Sequence, residues 1–197
     1  MIFRLSQKLT RRLKAGTVHG LPLDENPFAD WSAHLFRADR TQYVIVSHTK
    51  SLYSTLMFAK GITSDNQFIT RAVGGIREMM EDDGQISVYQ QFIAPASGAV
   101  RFGSAFSRSV TGSLNELVFH AMIWLTEGEL APHDVGLKLN DIPFSILSYA
   151  TPRECFLSLR AGPLLDPKCP APRKCPPLDD IESRPVNLPP SWYQSKR

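Results

Sequence analysis

The residues best suited to chemistry stand together in the segment from Arg108 to Asn115. The segment offers a guanidinium, hydroxyls and a carboxamide, from Arg108, Ser109, Thr111, Ser113 and Asn115. We predict a turn hinged at Gly112 and then a helix, because Ser113 and Glu116 have the S-x-x-E spacing of a capping box. The free backbone N–H groups of a helix start attract phosphate or carboxylate, so the pattern predicts an anion site. The alternative is that Ser113 only caps the helix and its neighbours are ordinary turn residues.

The same segment raises a second possibility, a small hydrolase or nuclease. Ser113 or Ser109 would be the nucleophile. His120 or His48 would be the base, and Asn115 would donate to a developing oxyanion. Ser113 and His120 would lie roughly 10 Å apart along one helix, which is too far for direct proton transfer. The chain has no G-x-S-x-G sequence. We therefore assign no catalytic residue and favour a non-enzymatic module.

The N-terminal segment forms a second candidate surface. It has no acidic residue before Asp24. We predict a strand from Ile2 to Leu5 and then a helix that Ser6 could cap, with Leu9 and Leu13 facing the core. The helix carries four cations, Lys8, Arg11, Arg12 and Lys14. These cations could contact nucleic-acid phosphates, although a charge run of this kind is often simply solvated.

Composition narrows the setting without identifying a ligand. A net charge of +3 and a pI near 8.8 permit contact with nucleic acid but do not require it. The three cysteines, Cys155, Cys169 and Cys175, match neither a disulfide framework nor a zinc pattern. No apolar stretch is long enough to span a bilayer. We therefore expect a cytoplasmic protein with no metal, no cofactor and no membrane contact.

The remaining elements follow from apolar periodicity and from helix and turn signals. After a surface loop from Gly16 to Asp30, we predict these elements: strands Tyr43–Val46, Leu52–Ala59, Ile86–Ala94 and Ala99–Phe106, and helices Gln67–Glu81, Ala131–Asn140 and one starting at Thr151. Gly74 and Gly75 require either a break in their helix or a close packing contact. The helix after Ser113 is apolar around most of its circumference, which predicts a central, mostly buried helix.

These elements predict an α+β fold in a single domain, residues 1–161, with a mixed, mainly antiparallel sheet covered by helices. Residues 162–197 are rich in proline, and we predict an extended or disordered tail. Its segment Leu188–Tyr193 could dock on a partner or back on the same domain. We predict a binding or regulatory module that engages an anionic ligand, nucleic acid or a protein partner through the Arg108–Ser113 turn and the basic helix.

Two stretches of the sequence carry a family resemblance. SRSVTGSLNELVFHAMIWLTEG, followed by LKLNDIPFSILSYATPRE, resembles the signature of a bacterial family known as domain of unknown function 6933. Members similarly show a basic strand-and-helix opening and an aromatic segment like Ala29–Trp31. Their R-S-V-x-G-S-[ML]-N-[DE] pattern is carried here by Arg108–Glu116. The resemblance covers residues 1 to about 160 and implies no activity, cofactor or catalytic residue. The loop at 16–26 and the proline-rich tail depart from the family pattern.

Overall fold

A computed structural model describes residues 1–128 and 130–159. The predicted tail at 162–197, with its segment Leu188–Tyr193, therefore lies outside the described residues. The strands of the described part are β1 (Ile2–Leu5), β2 (Asp30–Ala38), β3 (Thr41–His48), β4 (Ser54–Phe58) and β5 (Arg101–Gly103). They form one sheet in the order β4-β3-β2-β1-β5.

The sheet combines two kinds of pairing. Strand β1 pairs in parallel with both β2 and β5. The longer pairings, β2 with β3 and β3 with β4, are antiparallel. The mixed, mainly antiparallel sheet predicted from the sequence is therefore confirmed. Val44, Ile45 and Val46 of β3 are fully buried, as expected for a strand covered on both faces.

Helices cover both faces of this sheet. The helical segments are α1 (Gln7–Leu13), α2 (Asp65–Asp82), α3 (Ile86–Val88), a π-helical turn (Tyr89–Ile93), α4 (Ala94–Ala96), α5 (Arg108–Glu127), α6 (Pro132–Leu139), a 3-10 turn (Ser145–Leu147) and α7 (Pro152–Leu157). Apolar residues of α1, α2 and the segment 86–96 pack on one face. Those of α5 and α6 pack on the other. The described residues thus form one α+β domain.

Both outer strands are partly covered by side chains or loop backbone. On β4, the Asn140 carboxamide accepts the Ser54 N–H at 2.7 Å and donates to the Ser54 carbonyl at 3.0 Å. Asn140 thereby occupies the place of a neighbouring strand. On the opposite edge, His19 forms a parallel bridge with Gly103 of β5, and Ser104 N–H donates to the His19 carbonyl.

Several predicted elements are confirmed with their local causes. Helix α1 buries Leu9 and Leu13, and α6 covers most of the predicted range 131–140. Helix α7 starts with the full capping box of Thr151 and Glu154. Helix α2 continues unbroken through its glycine pair, and a Cβ on Gly75 would lie 3.1 Å from Thr55 Oγ1. Of the two predicted alternatives, the helix therefore shows the close packing contact, and it does so at Gly75 alone.

Some local predictions are wrong or incomplete. Residues 86–96 are helical, although the sequence predicted a strand from Ile86 to Ala94. Tyr89, Phe92, Ile93 and Ala96 recur at helical spacing and pack on the core, which outweighs their strand propensity. Of the predicted strand 99–106, only β5 forms. Ser6 stands at the start of α1, but it makes no side-chain cap, and its hydroxyl accepts Leu35 N–H instead at 3.5 Å.

Candidate functional site

Helix α5 begins earlier than the sequence predicted. The Ser107 backbone is extended, and its hydroxyl oxygen accepts the Val110 N–H at 3.2 Å, so Ser107 is the N-cap. Ser113 lies inside the helix, where its hydroxyl donates to the Ser109 carbonyl at 3.3 Å. The predicted capping box at Ser113 and Glu116 and the predicted turn at Gly112 are therefore wrong. The S-x-x-E spacing favoured Ser113 because Ser107 has Val110, not Glu, three residues later.

Helix geometry separates the residues predicted to bind an anion. Arg108, Thr111 and Asn115 line a shallow depression of about 470 Å³. Ser109 is exposed, and Ser113 is buried on the inner side of the helix. The helix is also more one-sided than predicted: Leu117 and Ala121 are fully buried, while Phe119 is largely exposed and Met122 is 40% exposed.

A larger cavity lies next to this depression, and Thr111 lines both of them. It is a crevice of about 670 Å³ at the carboxyl ends of the parallel strands β1 and β5. The chain leaves β1 into α1 on one face of the sheet and leaves β5 towards α5 on the other. Ligands of open sheets characteristically bind where successive connections diverge in this way. We call this cavity the switch-point crevice; the residues that line it are Arg4–Lys8, Thr10, Arg11, Val18, Ser32–His34, Ser104–Phe106, Val110, Thr111 and Leu114.

A buried polar network forms the floor of the switch-point crevice. Arg4 is 2% exposed, and its Nε and Nη2 donate to the two carboxylate oxygens of Asp30, each at 2.7 Å. The Leu21 and Pro22 carbonyls accept two further hydrogen bonds from the guanidinium. This bidentate, multiply bonded arrangement holds the Arg4 side chain in one orientation.

Hydroxyl groups extend the network across β2. Thr49 Oγ1 donates to Asp30 at 2.7 Å, and it lies 2.9 Å from Ser32 Oγ. The Asp24 N–H also donates to Asp30. The carboxylate thus accepts hydrogen bonds from three residues in a nearly water-free setting. Such saturation is what permits a buried charge pair, because an unpaired charge there would be strongly unfavourable.

The lining of the crevice is electropositive. It contains Arg4, Lys8, Arg11 and His34 but no carboxylate. Asp30 neutralises Arg4, so Lys8 and Arg11 supply the net charge. Burial lowers the pKa of His34, and the positive charge of Lys8 lowers it further. His34 is therefore expected to be neutral near pH 7 and to offer ordinary hydrogen-bonding groups.

An aromatic ring stands in the short connection between β5 and α5, one residue before the N-cap Ser107. Phe106 is 39% exposed, and its ring centroid lies 4.8 Å from Cζ of Arg4. The guanidinium therefore lies over one face of the ring. Most of the remaining surface in the crevice is apolar, from Val18, Ala105, Val110 and Leu114 among others. The crevice thus combines cations of α1 with an aromatic and apolar surface next to α5.

The predicted nucleic-acid surface is divided by the structure. Lys8 and Arg11 line the switch-point crevice. Arg12 instead donates to the Ile62 and Ala59 carbonyls and to Gln42 Oε1, so it fastens α1 to the connection after β4. Lys14 is exposed and ends α1 in the left-handed conformation.

The two candidate histidine bases occupy structural positions. His48 ends β3 and is fully buried beside the rings of Trp31 and Phe156. Its Nε2 lies 2.8 Å from the Pro27 carbonyl, which requires N–H there, so Nδ1 accepts from Ser51. Burial lowers the pKa of His48 to about 4. His120 packs against the rings of Trp124 and Phe144. Within residues 1–128 and 130–159, no hydrogen bond joins Ser113 to a histidine.

Sequence reasoning missed the floor of the crevice, namely Arg4, Ser32 and His34, and it also missed Phe106. A signal was present. Asp30, Ser32 and His34 alternate with apolar residues along β2, which places them on one face of the strand. Alternation alone does not distinguish a solvated face from a binding face. That distinction needs β5 and α5, which follow about 70 residues later in the chain.

Two other kinds of site are absent from the described part of the chain. It contains no group of three or more His, Cys, Asp or Glu side chains that could hold a metal ion. Its helices also include none with the length and apolar character needed to cross a membrane.

The fold and the crevice define the class of protein: a single α+β domain with a mixed sheet between two helical layers and a cavity at the switch point. The chain belongs to the family described as domain of unknown function 6933, whose family model matches residues 2–155. This match confirms the resemblance carried by the sequence motifs. No curated protein and no solved structure matches the chain.

Proposed function

We propose that the protein is a non-enzymatic binding module that holds a small organic anion in the switch-point crevice. The observation that carries the proposal is the charge of the lining: Lys8 and Arg11 face the cavity without a carboxylate among the residues around it. At about 670 Å³, the crevice lies within the range of roughly 300–1,000 Å³ that is typical of small-ligand sites. The proposal moves the predicted anion site from the Arg108–Ser113 segment to the neighbouring crevice.

Three features favour binding over catalysis. The Arg4 guanidinium and the Asp30 carboxylate are engaged with each other, so they support the site rather than act on a ligand. The Ser113 hydroxyl donates within its own helix. The lowered pKa and complete burial of His48 make it unsuitable as a base for a surface nucleophile. Of the residues named in the hydrolase alternative, Ser113 and His48 are therefore poorly placed as nucleophile and base.

The proposed module belongs in the bacterial cytoplasm. The family resemblance suggests bacteria, and the odd number of cysteines suits a reducing compartment. In this proposal the proline-rich tail at 162–197 is a separate interaction segment.

Isothermal titration calorimetry with the full chain in low salt tests the proposal. The probes are inorganic phosphate, citrate, ribose 5-phosphate and adenosine monophosphate. We expect saturable binding of at least one organic anion. The double variant Lys8→Gln/Arg11→Gln should weaken that binding by on the order of tenfold or more, because it removes two charge-assisted contacts. The matched control Lys14→Gln removes an exposed cation of the same helix outside the crevice, and its affinity should stay unchanged.

A second variant fills the cavity without touching its charges. Ala105 is exposed and lines the crevice, so Ala105→Trp should block binding while leaving the melting temperature nearly unchanged. Binding that survives both Ala105→Trp and the double charge variant would show that the anion site is elsewhere. A complete lack of response to every probe would refute the proposed function.

A further inference from the structure

We infer that the organic anion is a nucleoside monophosphate, with its base stacked on Phe106 and its phosphate held by Lys8 and Arg11. This inference rests on the proposed function and narrows its ligand to one chemical class. The cations of the crevice would bind the phosphate and the aromatic ring would bind the base, so the two contributions can be tested separately.

Phe106 is suited to stacking because its ring is exposed and held in place. Six large apolar side chains of the described chain are exposed, Phe58, Phe106, Phe119, Met122, Tyr149 and Leu157. Of these, Phe106 is the one that lines the switch-point crevice. Arg4 lies over one face of the ring, and the hydrogen bonds of Arg4 to Asp30 fix that guanidinium. The exposed part of the ring is therefore presented without the entropy loss of ordering a mobile ring.

The charge of the lining matches a single phosphate group. Lys8 and Arg11 form no ion pair with the residues at 1–128 and 130–159, whereas Arg4 is neutralised by Asp30. Two available cations balance the charge of about −1.5 to −2 that a phosphate monoester carries near pH 7. A nucleoside triphosphate would bring excess negative charge, because the described residues offer neither a third available cation in the lining nor a metal cluster.

The hydroxyl groups of the lining favour a ligand that can donate hydrogen bonds. Thr10 Oγ1 donates to the Ser6 carbonyl at 3.1 Å, and Thr111 Oγ1 donates to the Ser107 carbonyl at 2.9 Å. Each hydroxyl has spent its proton and keeps lone pairs that can accept. Ribose hydroxyls and exocyclic amino groups are donors of this kind. A simple carboxylate or inorganic phosphate offers few or none, so it would leave these acceptors unused.

Calorimetry with a dissected ligand series tests the inference on the full chain. The probes are adenosine, guanosine, cytidine and uridine monophosphates, together with adenosine, ribose 5-phosphate and inorganic phosphate. We expect at least one nucleoside monophosphate to bind on the order of tenfold more tightly than ribose 5-phosphate, which lacks the base. The same nucleotide should also bind more tightly than adenosine, which lacks the phosphate.

Substitutions then assign the base to Phe106. Phe106→Leu should weaken nucleotide binding by on the order of tenfold and leave ribose 5-phosphate binding unchanged, because only the stacking surface is lost. Phe106→Tyr should retain nucleotide affinity. Phe119→Leu is the matched control, since Phe119 is an exposed phenylalanine of α5 outside the crevice. Melting temperatures of all three variants establish that they are folded.

The failure of this inference differs from failure of the proposed function. Equal affinity for nucleotide and ribose 5-phosphate, or an unchanged nucleotide affinity in Phe106→Leu, would overturn the nucleotide inference while anion binding in the crevice stands. Tighter binding of citrate than of any nucleotide would have the same meaning. A chain that binds none of these anions would refute both.

Discussion

The two faces of strands β1 and β2 are built for different purposes. The face towards α1 and α2 is apolar and buried throughout, with Phe3, Leu5, Trp31, Ala33 and Leu35. The face towards α5 carries Arg4, Asp30, Ser32 and His34 before it becomes apolar at Phe36. Both faces come from the same alternating residues of the same strands. Within β1 and β2, apolar core packing therefore occupies one face and the candidate binding groups occupy part of the other, whose apolar packing lies further along the sheet.

The comparison also explains how a polar face can remain inside the protein. Apolar side chains need only close packing, whereas a buried guanidinium and a buried carboxylate must satisfy one another. Here Arg4 and Asp30 do so with two short hydrogen bonds, and Thr49 adds a third to the carboxylate. The polar face should therefore be the more sensitive to single substitutions that remove one partner.

The largest effect is expected from Arg4→Met. The substitution leaves the Asp30 carboxylate buried without its cation, and we expect a loss of about 3–5 kcal/mol in the free energy of unfolding. Urea denaturation measures it. Arg40→Met is the control because Arg40 is exposed, and its effect should be within about 0.5 kcal/mol. The double variant Arg4→Met/Asp30→Leu should recover part of the loss. Equal stability of Arg4→Met and the wild-type chain would show that the pair does not support this face.

Acid is expected to destabilise the fold through His48, a buried polar residue on the apolar face. Its pKa is lowered from 6.5 to about 4 by burial, so the folded state binds fewer protons than the unfolded chain between those values. Stability is thus fully present above pH 6.5 and is lost as the pH falls towards 4. The free energy of unfolding should fall by about 3 kcal/mol, because each unit of difference between the two pKa values contributes about 1.4 kcal/mol.

Unfolding free energies measured from pH 7 to 4 test this window. The profile of His48→Gln should be flatter than that of the wild-type chain, because glutamine does not titrate there. His19→Gln is the matched control, because it makes the same change at an exposed histidine. Parallel profiles for His48→Gln and the wild type would contradict the assignment. His34, on the polar face, should contribute in the same direction, since its pKa is also lowered by burial.

The smallest effects are expected from alanine substitutions at helical glycines, one in α5 and two in α2. In α5, a Cβ on Gly112 would meet no atom within 4 Å, and the residue is helical. Gly112→Ala should therefore raise the free energy of unfolding by about 0.5–1 kcal/mol. In α2, a Cβ on Gly75 would lie 3.1 Å from Thr55 Oγ1, so Gly75→Ala should lose that gain. Gly74→Ala, with open space around it, is the matched control and should be stabilising.

Thermal or urea denaturation of these three alanine variants distinguishes the helix from a turn. A residue that needs a positive φ loses stability on substitution by alanine. Destabilisation by Gly112→Ala would therefore favour the turn predicted at Gly112 over the helix. Equal stabilisation by Gly74→Ala and Gly75→Ala would show that α2 does not press on β4 through Gly75.

Local signals account for what the sequence predicted correctly. The β-branched run at Tyr43–Val46 and the capping box at Thr151 each define an element within a few residues. The errors arose where two local signals competed. Ser107 and Ser113 are both plausible caps, and the nearby Glu116 favoured the wrong one. The segment 86–96 contains strand-forming residues at helical spacing, and packing on the core decided between them.

The candidate site could not be predicted in the same way. The crevice exists because β5 pairs with β1, which lies about 100 residues earlier in the chain. Nothing in either strand specifies that neighbour. Lys8 and Arg11 were identified by charge, and Thr111 by its place beside Arg108, but their shared cavity depends on strand order. A long-range pairing is determined by the whole core rather than by any short pattern.

The covering of β4 has a consequence for how copies of this chain meet one another. An edge strand normally presents unpaired carbonyl and N–H groups that can pair with a strand of another chain, which is a common route to aggregation and domain swapping. Here the Ser54 carbonyl is held by Asn140, and the Phe58 and Lys60 carbonyls accept hydrogen bonds from Arg71. The side chains of Asn140 and Arg71 thus occupy hydrogen-bonding groups at the two ends of this five-residue strand. Concentrated solutions of the folded domain should resist aggregation that starts from this edge, and Asn140→Ala should weaken that resistance.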